Sequence, residues 1–301
     1  MEARATNALQ WGSDLAQKYL ESSRKYYWTA EQLSEISKYF PVRKSVFAVD
    51  VGTGQGAFAF YLKSVLGVNS EVWGVDIDEK LIQHARRIST ANDISVKFEV
   101  ASTYNLPFPS GSVDIMTEQL VLLHLKSPEL ALKEMYRCLA PQGVAVFIEP
   151  NNTAISLIDD SAKRQLTSEE YQNIVSLDFS YNRGKEALGE GDSNMGDMLI
   201  EHLQAFRILE IKLVERVDPI HPPYTEAQRE IIEFLYGDDS YNQSYELYHR
   251  YCLATGMAEE EFQRKWQSLR KLNEIRKEQV RNRNYFGLHL NIDYVFVCQK
   301  P

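Results

Sequence analysis

Cysteine is scarce in this sequence: Cys138, Cys252 and Cys298 are the only three in 301 residues. They lie far apart, so neither a disulfide framework nor a C-x-x-C metal knuckle can be written, and no metal site is expected; this usage suits a reducing, cytoplasmic setting. Long apolar runs are missing as well. No stretch reaches about 18 apolar residues, and Met1-Glu2-Ala3-Arg4 is followed by no apolar h-region, so neither membrane insertion nor export is expected. Positive charge is in deficit, with 33 Lys and Arg against 42 Asp and Glu for a net charge of −9, which works against a broad phosphate-binding surface. There is no internal repeat and no low-complexity linker. What remains is an ordinary globular composition, 44% apolar and 25% charged, in a chain long enough to bury a core without staples.

The acid excess is local: six of the nine net charges fall in residues 151–223. Residues 46–149 alternate short β-rich runs with helical ones, the pattern of a parallel sheet wrapped by helices. A buried strand Val46 to Val49 ends at Asp50 and leads through a glycine turn to a helix from about Ala57 to Leu66. A strand Glu71 to Val75 precedes a helix capped by Asp78, with Leu81, Ala85 and Ile88 on one face. Strands follow at Val96 to Val100, from Val113 towards Thr117, and at Val144 to Ile148. Between the last two, Ser127 is the expected N-cap, with Pro128 at N1, of a helix ending near Leu139.

Thr29-x-x-Gln32, Thr167-x-x-Glu170 and Thr225-x-x-Gln228 are capping boxes that open further helices. Leu209, Ile211 and Leu213 alternate with Glu210 and Lys212 as a half-buried strand, and Tyr294 to Cys298 is the last strand. The residues between these two strands read as helical, with Tyr241, Tyr245 and Tyr248 at helical spacing and Phe262, Trp266 and Leu269 on another face. The expected division is an N-terminal helical arm (1–40), a core (41–223), a helical cap insertion (224–285) and a terminal core strand (286–301), with a homodimer through the cap.

The strongest chemical signal is Asp50-Val51-Gly52-Thr53-Gly54-Gln55-Gly56 between a strand and a helix. Glycines there let the chain turn sharply and bring bare backbone against a ligand, while the helix N-terminus supplies free N–H donors. A second strand ends in Asp76, placed to accept hydrogen bonds from both ribose hydroxyls of a nucleoside. A plain tight turn with Asp76 as a helix cap is the simpler reading. Gly52-x-Gly54-x-x-Ala57 also satisfies a relaxed dinucleotide fingerprint, so a nicotinamide-dependent oxidoreductase stays open at this point.

Further residues narrow the choice. An acid two before the first glycine, Leu106-Pro107-Phe108 before Ser112-Val113-Asp114, the run Leu120 to Leu125 with His124, Leu139-Ala140-Pro141-x-Gly143 and a strand ending Glu149-Pro150 together resemble the class I S-adenosylmethionine-dependent methyltransferases of small-molecule type. The resemblance covers roughly residues 40–150. It implies an α/β fold, a Rossmann-like seven-stranded mostly parallel sheet with an antiparallel terminal strand pair, and S-adenosylmethionine as cofactor with S-adenosylhomocysteine as product. It further implies cofactor contacts from Asp50, Gly52, Thr53, Gly54, Gly56, Asp76 and Ile77; Glu118 and Gln119, near the fourth strand's end, are candidates to contact the cofactor or an acceptor amine, with a solvated strand-end acid as the plainer reading. Family members often carry an acid for the adenine amino group a few positions before Leu-Pro-Phe. Here Ser102 stands in its place, so adenine is expected to be held by that hydroxyl, the N–H groups of Thr103 and Tyr104, and packing.

Methyl transfer by in-line displacement needs donor and acceptor aligned, water excluded and, for a phenol or amine, one proton removed. His124, Glu149 and His221 are the candidate catalytic residues. Each has a plainer reading: a buried imidazole bonded to backbone, a solvated strand-end acid, and an exposed histidine on the stiff connector Asp218 to Tyr224. Tyr27 and Trp28 as a lid, Tyr224, and Arg183 beside a glycine-rich mobile rim (184–196) are the candidate acceptor contacts; core packing and an ordinary surface loop are their alternatives. The basic stretch Arg264 to Arg283 reads as a solvated amphipathic helix rather than a nucleic-acid surface. An RNA or protein methyltransferase is the nearest rival, although no Asn-Pro-Pro-Tyr type tetrapeptide follows the fourth strand. A non-catalytic cofactor-binding scaffold is another. The charge field favours a neutral or cationic small acceptor.

Overall fold

The computed structural model describes residues 28–41 and 43–301. Helix α1 (Ala30–Ser37) is followed by β1 (Phe47–Val51), α2 (Ala57–Leu66), β2 (Glu71–Asp76), α3 (Glu79–Ala91), β3 (Lys97–Val100) and β4 (Val113–Gln119). A one-turn 3-10 helix (Leu122–His124), α4 (Pro128–Cys138) and β5 (Leu139–Pro150) come next. The chain then forms α5 (Asn152–Ser156), α6 (Ser168–Ala187), α7 (Met195–His202), β6 (Arg207–Ile220), α8 (Glu226–Tyr236), α9 (Asp238–Ala254), α10 (Glu259–Arg281) and β7 (Gly287–Gln299).

Thr29, Thr167 and Thr225 each close a full capping box, and Asp78 accepts from the N–H groups of Lys80 and Leu81. Ser127 and Pro128 stand at the N-cap and first position of α4 as expected, but the Ser127 side chain makes no cap bond; its backbone N–H donates to the Tyr104 hydroxyl at 3.3 Å.

The seven strands run in the order β3-β2-β1-β4-β5-β7-β6. Neighbours among β1 to β5 are parallel, and β7 lies antiparallel to β5. Because side chains alternate across a strand, the sheet carries two cores. Val49, Met116 and Phe147 face a layer including Leu132 and Met135 of α4 and Leu199 of α7. Ala48, Ile115 and Val146 face one including Phe58 and Leu62 of α2 and Ile82 of α3. The edge strand β6 corrects the alternation expected for it. Leu209 packs on the second core, but Ile211 and Leu213 are 46% and 57% exposed. The polar positions face the helix instead: the Tyr39 hydroxyl donates to Glu210 Oε2 at 2.6 Å and Lys212 Nζ to Glu35 Oε2 at 3.0 Å.

The chain forms two compact units. One holds the described residues up to Pro150, Met195–Val214 and Asp293–Pro301; the other holds Asn151–Asn194 and Glu215–Ile292. The division therefore differs from the expected 41–223 core, because α6 belongs with the later helices. Leu177 of α6 completes a cluster with Cys252, Phe262 and Trp266, and Ile174 packs with Leu272.

The expected mobile rim is also corrected. Gly184 and Lys185 are buried within α6, and a Cβ on Gly184 would lie 1.8 Å from the Tyr251 carbonyl oxygen. That glycine lets two helix backbones touch. In the same unit the basic run of α10 supplies counterions: Lys271 Nζ lies 2.7 Å from Glu170, Arg276 lies 2.7 Å from Asp160, and Arg264 lies 3.7 Å from Glu169. These three cations answer carboxylates of their own unit, as in a partnered amphipathic helix.

Candidate functional site

Strand β1 delivers Asp50 and Val51 into a loop where Gly52, Gly54 and Gly56 adopt φ of +68°, +55° and +89°, a region L residues enter only at a cost. The Thr53 N–H donates to the Val75 carbonyl at 2.9 Å, which ties the loop to β2. The three glycines do different things. A Cβ on Gly52 would meet Val121 Cγ2 at 2.2 Å, and one on Gly56 would meet the Phe98 ring at 2.8 Å; around Gly54 nothing lies within 4 Å. Two glycines let the loop pack, and the third presents bare backbone to open space.

Asp50 is 2% exposed and accepts from the hydroxyls of Thr53 at 2.7 Å and Thr117 at 2.8 Å. Thr117 was missed in the sequence, where its only signal is a hydroxyl inside the apolar run of β4. At the end of β2, Asp76 accepts from the Gly54 N–H through Oδ2 and the Asp78 N–H through Oδ1, both at 2.9 Å. Withdrawal from solvent raises the Asp76 pKa, against the lowering effect of those two N–H groups. Its neighbour Ile77 is apolar and yet 56% exposed.

Ser102 and Thr103 are half-buried in the segment after β3. The Tyr104 N–H, expected to serve a ligand, donates instead to Ser102 Oγ at 3.2 Å. Thr117 and Gln119 share a strand face with Asp50 by register and alternation. Gln119 is 9% exposed. Its Oε1 accepts from Trp28 Nε1 at 3.5 Å, and its buried Nε2 has no hydrogen-bond acceptor. Trp28 also packs on Phe58, with ring centroids 5.9 Å apart. Tyr27 lies outside the described residues.

Two expected ligand contacts become structural. Glu118 and Glu149 are fully buried. Glu149 accepts from the N–H groups of Val121 (3.0 Å), Leu122 (2.7 Å) and Leu123 (3.3 Å), and Glu118 from those of Ile148 (3.1 Å) and Val121 (3.3 Å). Burial raises the pKa of both. His124 is half-buried at the end of the one-turn helix.

The other candidates belong to the second unit. His221 is exposed and its Nδ1 lies 3.2 Å from the carbonyl of its neighbour Pro222. Tyr224 is buried; its hydroxyl donates to the Tyr285 carbonyl and accepts from the Tyr285 N–H, which makes it a core residue. Arg183 is exposed and paired with Glu186 at 2.9 Å. No group of three or more metal-ligating side chains occurs among the described residues, and no described helix is long and apolar enough to cross a membrane.

Comparison with known proteins agrees with this geometry. Residues 49–147 match the methyltransferase domain family. A demethylmenaquinone methyltransferase of Staphylococcus aureus is 32% identical over 120 residues, which is 40% of this chain and 49% of that one. The chain thus spans about half the length of the curated relatives it matches. Among solved structures, one from Bacillus halodurans superposes with a TM-score of 0.54 over 90% of this chain and all of its own, at 14% identity. Phosphoethanolamine N-methyltransferase 2 of Haemonchus contortus, in complex with S-adenosyl-L-methionine, gives 0.52 over all of this chain and 60% of its own, at 16% identity. These likenesses concern the fold. With the sheet order, the glycine loop and its two acids in place, the chain carries, over residues 49–147, a methyltransferase domain of the class I S-adenosylmethionine-dependent kind.

Proposed function

We propose that the protein transfers a methyl group from S-adenosylmethionine to a small-molecule acceptor bearing an oxygen, nitrogen or sulfur nucleophile. The observation that carries this reading is the open backbone at Gly54, flanked by Asp50 and Asp76 at the ends of adjacent strands. The residues present fit the cofactor. Asp76 has the two oxygens a ribose diol needs, exposed Ile77 offers an apolar surface for a base, and the Gln119 amide holds a buried donor with no protein acceptor. An orphaned donor of that kind costs about 1–3 kcal/mol, which a ligand oxygen would remove.

When bound, S-adenosylmethionine supplies an electrophilic methyl group on a sulfonium. The chain's own work is to bind the nucleoside, align it, keep water out and, for an acceptor that must lose a proton, take that proton. In the first unit His124 is the candidate base; a thiolate or carboxylate acceptor needs none. The antiparallel β7 argues against the nicotinamide reading, since a dinucleotide-binding sheet continues in parallel. The pairing of the α10 cations within their own unit argues against a nucleic-acid acceptor. Relatives named for demethylmenaquinone and phosphoethanolamine support a small molecule.

Calorimetry with S-adenosylhomocysteine tests the cofactor: tight binding to the wild type and its loss in Asp76→Ala are expected, and equal binding by both would refute the site. An acceptor screen read by release of S-adenosylhomocysteine tests the reaction. Enhancement of NADH fluorescence, or affinity for tRNA that falls steeply with salt, would favour the rivals.

A further inference from the structure

Glu118 and Glu149 form the least expected feature of the first unit: two carboxyl groups, fully buried, on adjacent strands and both accepting from the one Val121 N–H. Among the described residues, the hydrogen bonds shown to them come from backbone N–H groups. Each of the four oxygens accepts a backbone N–H: Glu118 Oε1 from Ile148, Glu118 Oε2 from Val121, Glu149 Oε1 from Val121 and Leu122, and Glu149 Oε2 from Leu123. Two negative charges at this range repel strongly in a dry interior. Both carboxyl groups converge on the Val121 N–H, and one proton held between them would leave a single charge in place of two.

The N–H groups so held are those a short helix leaves unpaired at its start. Within the one-turn helix the His124 N–H returns to the Val121 carbonyl and the Leu125 N–H to the Leu122 carbonyl, each at 3.0 Å. The N–H groups of Val121, Leu122 and Leu123 fall to the carboxyl pair. One contact at the start of this turn reaches the nucleoside loop. Val121 lies where Gly52 has no side chain, close enough that a Cβ there would stand 2.2 Å from Val121 Cγ2. His124 ends the turn.

We propose that Glu118 and Glu149 are positioning residues: a carboxylic acid and a carboxylate sharing one proton, which cap the Leu122–His124 turn and thereby hold Val121 against the glycine loop and fix His124. Glu118 is the donor, and Glu149 carries the charge, since it receives three of the turn's N–H groups. Removal of the shared proton at alkaline pH sets two charges side by side and loosens turn and loop together. The charged and titratable groups on the packed elements are His124 on the turn, Asp197, Glu201 and His202 on α7, and Asp293 and Tyr294 on β7; Asp197 and Glu201 are exposed. The link to ligand affinity rests on the cofactor reading above, whereas the link to the turn does not.

The test is asymmetric by design. Hydrogen exchange over residues 119–125 and calorimetric binding of S-adenosylhomocysteine would be followed from neutral to alkaline pH in the wild type, Glu118→Gln and Glu149→Gln. Glu118→Gln keeps a donor towards Glu149 and cannot ionise; it gives up one acceptor oxygen, but the Val121 N–H retains Glu149 Oε1, so protection, corrected for the intrinsic exchange rate, should stay near the wild type at neutral pH and should not fall at alkaline pH. Glu149→Gln replaces the acceptor of three N–H groups, and should speed exchange in the turn and weaken binding about tenfold or more. Equal pH profiles for wild type and Glu118→Gln, or protection in the wild type that does not fall with pH, would overturn the proposal even if Glu149→Gln does not fold. Absence of S-adenosylhomocysteine binding at every pH would sink the cofactor reading instead, and exchange in the turn would still judge the pair.

Discussion

Gly54 and Gly56 stand two residues apart with similar left-handed backbone, and the same substitution should separate binding from stability. Placing alanine at such a φ costs roughly 1–2 kcal/mol, offset by about 0.4–1 kcal/mol from the lower entropy of the unfolded chain. At Gly54 that is the whole effect, because an added methyl meets nothing within 4 Å. At Gly56 the methyl would stand 2.8 and 2.9 Å from Phe98 and 3.1 Å from Phe60, and overpacking adds about 1–3 kcal/mol. With about 2–4 °C of midpoint per kcal/mol in a domain of this size, Gly54→Ala should melt about 3 °C lower and Gly56→Ala roughly 10 °C lower. Binding should rank the other way per degree lost. Gly54→Ala covers the backbone a ligand would approach, so its affinity for S-adenosylhomocysteine should fall at least about tenfold while the fold survives. Differential scanning calorimetry and titration calorimetry on both variants read the two effects. Wild-type affinity in a folded Gly54→Ala would refute the assignment of Gly54 to the ligand, and equal melting of the two variants would refute the packing account.

Gly184→Ala should invert the ordinary rule. In an open helix it would gain about 1 kcal/mol, but here the methyl falls on the Tyr251 carbonyl, so a loss of roughly 3 kcal/mol is expected by calorimetry and any gain would contradict the helix contact. Arg276→Met leaves the buried Asp160 with only its N–H and hydroxyl donors and should cost roughly 2–4 kcal/mol, with part recovered on adding Asp160→Asn, since breaking one side of a buried pair is worse than replacing both. Stability should fall as pH rises above the ordinary carboxylate range. Glu118 and Glu149 have raised pKa values in the fold, so the folded protein keeps a proton that the unfolded chain has lost. Their contribution is full at lower pH and declines by about 1.4 kcal/mol per pH unit until the folded pair releases its proton. Urea unfolding in a pH series measures this, and a slope of opposite sign would show that the pair is not protonated.

Legibility in the sequence followed the range of the interaction. The glycine loop, Asp76 and the helix capped by Asp78 lie within one strand-turn-helix unit each, so spacing and residue type suffice to find them. Gly184 could not be read that way, because the same glycine signals a flexible loop until Tyr251, far along the chain, is seen against it. The phase of β6 failed for a related reason. Alternation identifies a strand, but which set of residues turns inward was decided by Tyr39 and Glu35 of the N-terminal helix segment, which draw Glu210 and Lys212 towards them. Glu118 and Glu149 read as strand-end acids open to a ligand, and only the fold shows that the one-turn helix lies over them and takes both carboxyl groups.

The charge of the chain bears on what such an enzyme can select. As a sequence, the six surplus acids of residues 151–223 describe an attractive field for a cationic acceptor. Folded, that field is largely answered. Glu169, Glu170, Asp160 and Glu190 pair with Arg264, Lys271, Arg276 and Arg250, four cations drawn from outside the segment, and all but two of the surplus charges are offset. A paired charge acts beyond its partner only as a dipole, and salt screens what remains within about 8–10 Å. Little of that field is left to act at a distance, so the expectation of a cationic acceptor loses its electrostatic support. Among the described residues of the first unit, the Gln119 amide Nε2 is buried without an acceptor, and the Trp28 indole donates to the same side chain. A hydrogen bond of this kind rejects an ill-matched ligand by leaving a buried group unpaired, so for the acceptor proposed above, shape and hydrogen-bond pattern are expected to outweigh net charge.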